Sequence, residues 1–216
     1  MTQTSAIPTP PTIPADYLAR LRTLVDSGQR KILGLVGTPG SGKSTLATAL
    51  QAEFSHSSQI VPMDGFHFSN SVLKRKGLAH KKGAQDTFDS GGYVALLARL
   101  RSSYEKESVY APEFVREIEE PIANAIEILP TTRLIITEGN YLLLSNGPWA
   151  HVRNYLDGCW YVDVDQALRT ERLVKRHEFF GRSHQAALDW VAKTDEPNAR
   201  LIEASKNGAD LIFSWA

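Results

Sequence analysis

Nine consecutive residues, Gly37, Thr38, Pro39, Gly40, Ser41, Gly42, Lys43, Ser44 and Thr45, satisfy the pattern G-x-x-x-x-G-K-[ST]. A loop of this kind binds the phosphates of a nucleotide. Its glycines let the backbone turn with N–H groups pointing inward onto phosphate oxygens. Lys43 then reaches the β- and γ-phosphates, and the Ser44 hydroxyl is placed to ligate Mg²⁺. The apolar run at 32–36 reads as a strand entering the loop. Residues 44–53 read as a helix leaving it, with the positive end of its dipole on the same anion. Such a loop specifies a nucleotide but not a reaction.

Three further groups supply what a reaction needs. The run at 59–63 reads as a short strand ending on Asp64, and 133–137 as a buried β-branched strand followed at once by Glu138, Gly139, Asn140 and Tyr141. Ligands of an open parallel sheet gather at the carboxyl ends of its strands, so both carboxylates are expected to face the phosphate loop. His67 lies two residues after Asp64, and in an extended stretch both side chains project to one side, where the imidazole either orients an acceptor or packs. Farther on, Arg172 and Arg176 share one helix face, with Arg182 just beyond a hinge at Gly181. Phosphoryl transfer uses these parts, because its barrier falls mainly through positioning and charge neutralisation. Lys43 and Mg²⁺ would hold the donor phosphates and Asp64 would take the proton of the attacking hydroxyl. Glu138 would hold the metal through water, and the three arginines would close as a lid. Tyr110, Arg116, Asn140 and Tyr141 join Asp64, His67 and Glu138 as candidate acceptor contacts.

Elements to position these groups are legible along the chain. Residues 1–14 hold four prolines and are expected to form a flexible arm. From Asp16, a plausible N-cap, Tyr17, Leu18, Leu21, Leu24 and Val25 recur at helical spacing up to Gly28. Residues 68–92 read as basic and irregular, 93–100 as a helix, and 108–116 as a short strand and loop in which Pro112 argues for an edge or a turn. Residues 160–164 read as a strand, after which Asp165 caps the arginine-bearing helix. Helices at 184–190 and 197–205 and a strand at 210–213 follow. Strands alternating with helices imply an α/β three-layer sandwich, a mainly parallel sheet covered on both faces with a helical lid. Residues 15–216 are expected to form one domain, with an acceptor-binding insertion at about 65–130 and the lid at about 166–184.

Bulk composition narrows the partners. With 24 basic and 24 acidic residues the formal net charge is zero. No overall field draws the chain onto nucleic acid or an anionic membrane, so a small ligand is the expected partner. The single cysteine, Cys159, excludes an intramolecular disulfide and reads as a buried apolar residue. The first six residues have no signal-peptide character, and no apolar run approaches the ~18 residues of a membrane span. A cytoplasmic protein is expected, and a homodimer is left open.

The segments GTPGSGKST, VPMDGFHF, TEGNYLLL and ERLVKRH followed by Gly181 and Arg182 together resemble the uridine kinase, phosphoribulokinase and pantothenate kinase group of P-loop kinases. They are most similar to bacterial members labelled nucleoside or fructose-transport-system kinases. The resemblance spans roughly residues 30 to 214. It implies the P-loop NTPase fold, ATP and Mg²⁺, a small hydroxyl-bearing acceptor, Asp64 as base and the three arginines in a lid. Uridine kinases differ after the second strand and in a proline-x-tyrosine-aspartate stretch, where Pro112, Glu113, Phe114, Val115 and Arg116 stand here. Arg116 thus hints at an anionic or polyhydroxyl acceptor. A GTPase is the competing reading, since 89–92 match D-x-x-G and 192–195 partly match a guanine-reading motif. A non-catalytic nucleotide-binding regulator is another, but leaves Asp64, Glu138 and the arginines without a role.

Overall fold

The computed structural model describes residues 12–215. Strands β1 (Lys31–Val36), β2 (Ser58–Pro62), β5 (Leu134–Gly139), β6 (Gly158–Asp163) and β7 (Leu211–Ser214) form a parallel sheet in the order β2-β5-β1-β6-β7, while β3 (Val109–Val115) and β4 (Glu120–Ile128) make a separate antiparallel hairpin. The helices are α1 (Ala15–Val25), α2 (Lys43–Glu53), α3 (Asn70–Lys76), α4 (Ser90–Ser102), α5 (Gln166–Phe179), α6 (His184–Trp190) and α7 (Glu196–Glu203), the last two joined through a π turn at Val191–Asp195. This is the expected α/β three-layer fold.

Continuous apolar runs such as Ile32 to Val36 mark strands covered on both faces. Alternate residues sort into two cores. Ile32, Val36, Ile135 and Tyr161 pack against α4 and a 3₁₀ segment, Gly147–Tyr155, on one side. On the other, Leu33, Leu35, Ile136 and Val162 pack against α1 and α2. Cys159 is fully buried, as expected, and burial pushes its thiol up to about 12. Leu173, Val174, Ala187 and Val191 form a third, small core between α5, α6 and the π turn.

Several elements depart from the sequence expectation. Residues 1–11 of the expected arm lie outside the described residues, but Ile13 is buried in the core with α1 and α2. Pro14, not Asp16, holds the N-cap position of α1, which leaves Asp16 in the first turn. The stretch taken as irregular contains α3, stopped at Gly77 and capped by Ser69, whose hydroxyl accepts from Val72 N at 3.4 Å. Strand β4 carries Ile122, Ile126 and Ile128, but the alternation is broken at Ala123, Asn124 and Ala125, with Asn124 at φ +60°. Pro112 sits at the register shift of β3, in a two-stranded sheet where both strands are edges.

One buried cation ties the layers together at the end of the sheet away from the loop. Arg30, only 4 % exposed, donates from Nε to Thr132 O at 2.8 Å, from Nη1 to Leu100 O at 2.9 Å and Ser103 Oγ at 3.1 Å, and from Nη2 to Leu129 O at 2.7 Å. These bonds join the entry to β1, the end of α4 and the turn before β5. Arg30→Ala strands buried carbonyls and should cost about 3 kcal/mol of stability. Urea denaturation is the check, and a loss under about 0.5 kcal/mol would contradict the role.

Candidate active site

Register places the site. Leu35 on β1 pairs with Glu138 on β5, which pairs in turn with Pro62 on β2. The phosphate loop begins two residues after Leu35 and Asp64 stands two residues after Pro62, so loop, Glu138 and Asp64 meet at the carboxyl edge of three adjacent strands. Glu138 shares the strand face of Leu134 and Ile136, the face packed against α2, and there its Oε1 accepts from Ser44 Oγ at 3.0 Å.

The loop folds as its glycines require. Gly42 sits at φ +92° as the N-cap of α2, a left-handed conformation that L side chains rarely adopt. Lys43 is 7 % exposed, and its Nζ donates to Gly37 O at 2.9 Å and Thr38 O at 3.0 Å, so the ammonium curls over its own loop. Burial lowers its pKa to about 8, against the pull of the nearby Glu138 and Asp64 carboxylates. Burial also raises the pKa of Glu138, with repulsion from Asp64 adding to it and Lys43 opposing.

A cavity of about 590 Å³ opens over this edge, lined by loop residues Pro39, Gly40 and Gly42 to Thr45 and by Asp64, Arg116, Glu138, Asn140, Arg172, Leu173, Arg176 and Trp215. Asp64 receives a 3.3 Å ion pair from Arg116 Nη2, reaching in from the end of the β3–β4 hairpin. The hairpin comes so close that a Cβ at Gly65 would collide with Pro112 O, which explains a glycine directly after Asp64. Arg172 and Arg176 line the cavity from α5.

Four expected contacts lie elsewhere. His67 does not project beside Asp64, because Met63–Phe66 is a 3₁₀ turn rather than an extended strand. Its ring packs on Phe88 (centroids 4.0 Å apart) and Phe114 (4.5 Å), and its Nδ1 donates to Asp64 O at 2.7 Å. Tyr141 is buried among Phe88 and Trp149, with its hydroxyl donating to Gly83 O at 2.6 Å. Tyr110 is exposed on the hairpin and donates to Glu127 Oε1 at 3.1 Å. Arg182 does not reach the phosphate-loop cavity; its guanidinium lies 3.9 Å over the Trp190 ring and lines a neighbouring cavity. Trp215 was not anticipated: it follows β7 at the sheet edge, and its Nε1 lies 3.1 Å from where a Gly42 Cβ would stand.

The residues of the GTPase reading are engaged structurally. Asp89 caps α4 by accepting from Gly92 N at 2.9 Å, and Asp195 pairs with His177 at 2.9 Å.

The family model for the "Phosphoribulokinase / Uridine kinase family" matches residues 32–215. The chain belongs to this family. It is 34 % identical over 200 residues to the uncharacterized protein YggC of Escherichia coli, covering 90 % of this chain and 81 % of that one. It is also 32 % identical over 201 residues to a protein of Schizosaccharomyces pombe named as a candidate uridine kinase, covering 88 % and 85 %. A crystal structure of a candidate fructose transport system kinase from Silicibacter sp. TM1040 superposes with a TM-score of 0.84 at 36 % identity, over 94 % of this chain and all of that one. This kinase is therefore an ATP-binding small-molecule phosphotransferase. Among its described residues no helix is long and apolar enough to cross a membrane.

The buried ammonium of Lys43 gives a pH signature. Nucleotide phosphates favour its charged form, which predominates below about pH 8 and is lost as pH rises through that value. ADP affinity, measured calorimetrically, should be full below pH 8 and then weaken by up to about tenfold per pH unit. A flat profile across that range would contradict the assignment.

Proposed function

We propose that this cytoplasmic kinase moves the γ-phosphoryl group of ATP to a hydroxyl of a small metabolite, with Asp64 as general base. The observation that carries the reading is the convergence of the phosphate loop, Asp64, Glu138, Arg172 and Arg176 on one cavity. The acceptor hydroxyl gives its proton to Asp64 as its oxygen approaches the γ-phosphorus. Lys43 leaves its loop carbonyls for the donor's β- and γ-oxygens, and the α5 guanidiniums neutralise the transferring group.

The Ser44 hydroxyl and Glu138 carboxylate, 3.0 Å apart, are hard oxygen donors of the kind Mg²⁺ takes. Among the described residues no group of three or more His, Cys, Asp or Glu gathers to hold a metal alone. This suits an ion that completes its shell with water and substrate phosphates. When bound, Mg²⁺ would offset the charge of the donor phosphates. Ser44 and Glu138 would fix its place.

The lid is likewise a proposal. Arg172 and Arg176 already line the cavity from α5, and α5 shares a small core with α6, so closure would move the two helices together over the phosphates. Asp64→Asn keeps the shape but cannot take the proton. Acceptor-dependent ADP release should fall about 100-fold or more while nucleotide affinity holds. Near-normal turnover with any acceptor would remove Asp64 as base.

A further inference from the structure

A second cavity, of about 520 Å³, adjoins the first and shares Pro39, Arg116, Asn140 and Arg176 with it. The shared residues mark where donor and acceptor would meet. The remainder of its wall comes from the loop after α3 and from α5, Gly181, Arg182, the π turn and α7. Its volume suits a small metabolite.

The charges on this wall do not cancel. Glu119 is taken by Lys82, whose Nζ lies 3.6 Å from Glu119 Oε2 and donates to Asn70 Oδ1 at 2.7 Å. Asp195 Oδ2 lies 2.9 Å from His177 Nε2, and Asp64 pairs with Arg116. Among the described residues, Arg176 and Arg182 then have no carboxylate partner. Arg176 is half-buried with Arg116 close by, so desolvation and then like charge act against its guanidinium, while Asp195, Asp64 and Glu119 act in its favour from farther off. The two arginines also differ in reach. Arg176 lines both cavities and serves the transferring phosphoryl group, whereas Arg182 lines only the second. The Arg182 guanidinium carbon lies 3.9 Å from the centre of the Trp190 ring, and the group is a planar fork of N–H donors. A planar fork of this sort pairs with a carboxylate or phosphate. A neutral nucleoside or sugar offers it no such partner.

We infer that the acceptor of this kinase is a hydroxyl-bearing anion, a carboxylate or phosphate ester whose charged group pairs with Arg182 in the second cavity. The inference rests on the kinase reading above. In the reaction the acceptor's hydroxyl oxygen forms a bond to the γ-phosphorus while the bond from that phosphorus to the β–γ bridging oxygen breaks. The bonding pair leaves with ADP, and the hydroxyl proton goes to the Asp64 carboxylate. The anion takes no part in bond making; it sets which molecule is held.

The test uses the full chain with MgATP and reads acceptor-dependent ADP release for matched pairs: glycerate against glycerol, pantothenate against pantothenol, and fructose 6-phosphate against fructose, with uridine alongside. At least one anion should exceed its uncharged partner by about tenfold or more in kcat/KM. The responding pair tells carboxylate from phosphate. Arg182→Gln, on an exposed side chain, should bring that ratio to within about threefold through KM, with an unchanged thermal melt confirming the fold. Uncharged partners or uridine serving as well as the anions would overturn the inference and leave the kinase reading standing, as would a ratio that survives Arg182→Gln. Silence with every acceptor, while ATP still binds, would overturn both.

Discussion

Leu35, Glu138 and Pro62 stand in one row across three parallel strands, and the groups at the sheet edge hang from that row. A slip of one residue in β5 would turn Glu138 onto the opposite face of the sheet, away from α2 and Ser44. The register is fixed by what lies behind it: alternate residues of each strand fill two separate apolar cores, and Thr137, next to Glu138, is pinned on the far face. There the Tyr93 hydroxyl donates to Thr137 Oγ1 at 2.6 Å, and Thr137 donates to Val61 O at 2.7 Å. Buried packing thus sets the position of a carboxylate to within the reach of one hydrogen bond.

Electrostatics at the edge follows from that placement. Lys43 and Glu138 are buried side by side at this edge, with the partly exposed Asp64 next to them. Burial works against the ammonium of Lys43 and against the carboxylate of Glu138, and their mutual attraction opposes both effects. Lys43 meanwhile satisfies its donors on loop carbonyls that would be released when phosphate oxygens arrive. The loop is thereby ready for an anion before one binds. Polar groups so arranged are costly to build and are retained where charge must be stabilised during a reaction.

Legibility in the sequence followed the physics of each residue. The phosphate loop, Asp64 and Glu138 could be read because motif spacing and the rule for strand ends depend only on backbone order. Residues whose role depends on a side-chain direction could not. His67 was read as a neighbour of Asp64, but a single 3₁₀ turn sends its ring between Phe88 and Phe114. Tyr141 lies two residues past the end of β5, which runs through Gly139 rather than stopping at 137, and its ring turns into the aromatic core. Strand β4 was missed because most of its side chains are exposed and Asn124 with its flanking alanines interrupts the alternation of Ile122, Ile126 and Ile128. Trp215 carries no motif, and it reaches Gly42 only because β7 lies at the far edge of the sheet. Arg182 was grouped with Arg172 and Arg176 by spacing, while Gly181 and Trp190 direct it into a different cavity.

The central claim is that the cavity transfers a phosphoryl group to a hydroxyl and does not merely bind or hydrolyse the nucleotide. Incubating the protein with ATP labelled in its γ-phosphate and a deproteinised metabolite extract, then separating the products, tests this directly. The label should appear in an organic phosphate ester that forms only when protein and extract are both present. Label recovered solely as inorganic phosphate, or left on ATP, would contradict it.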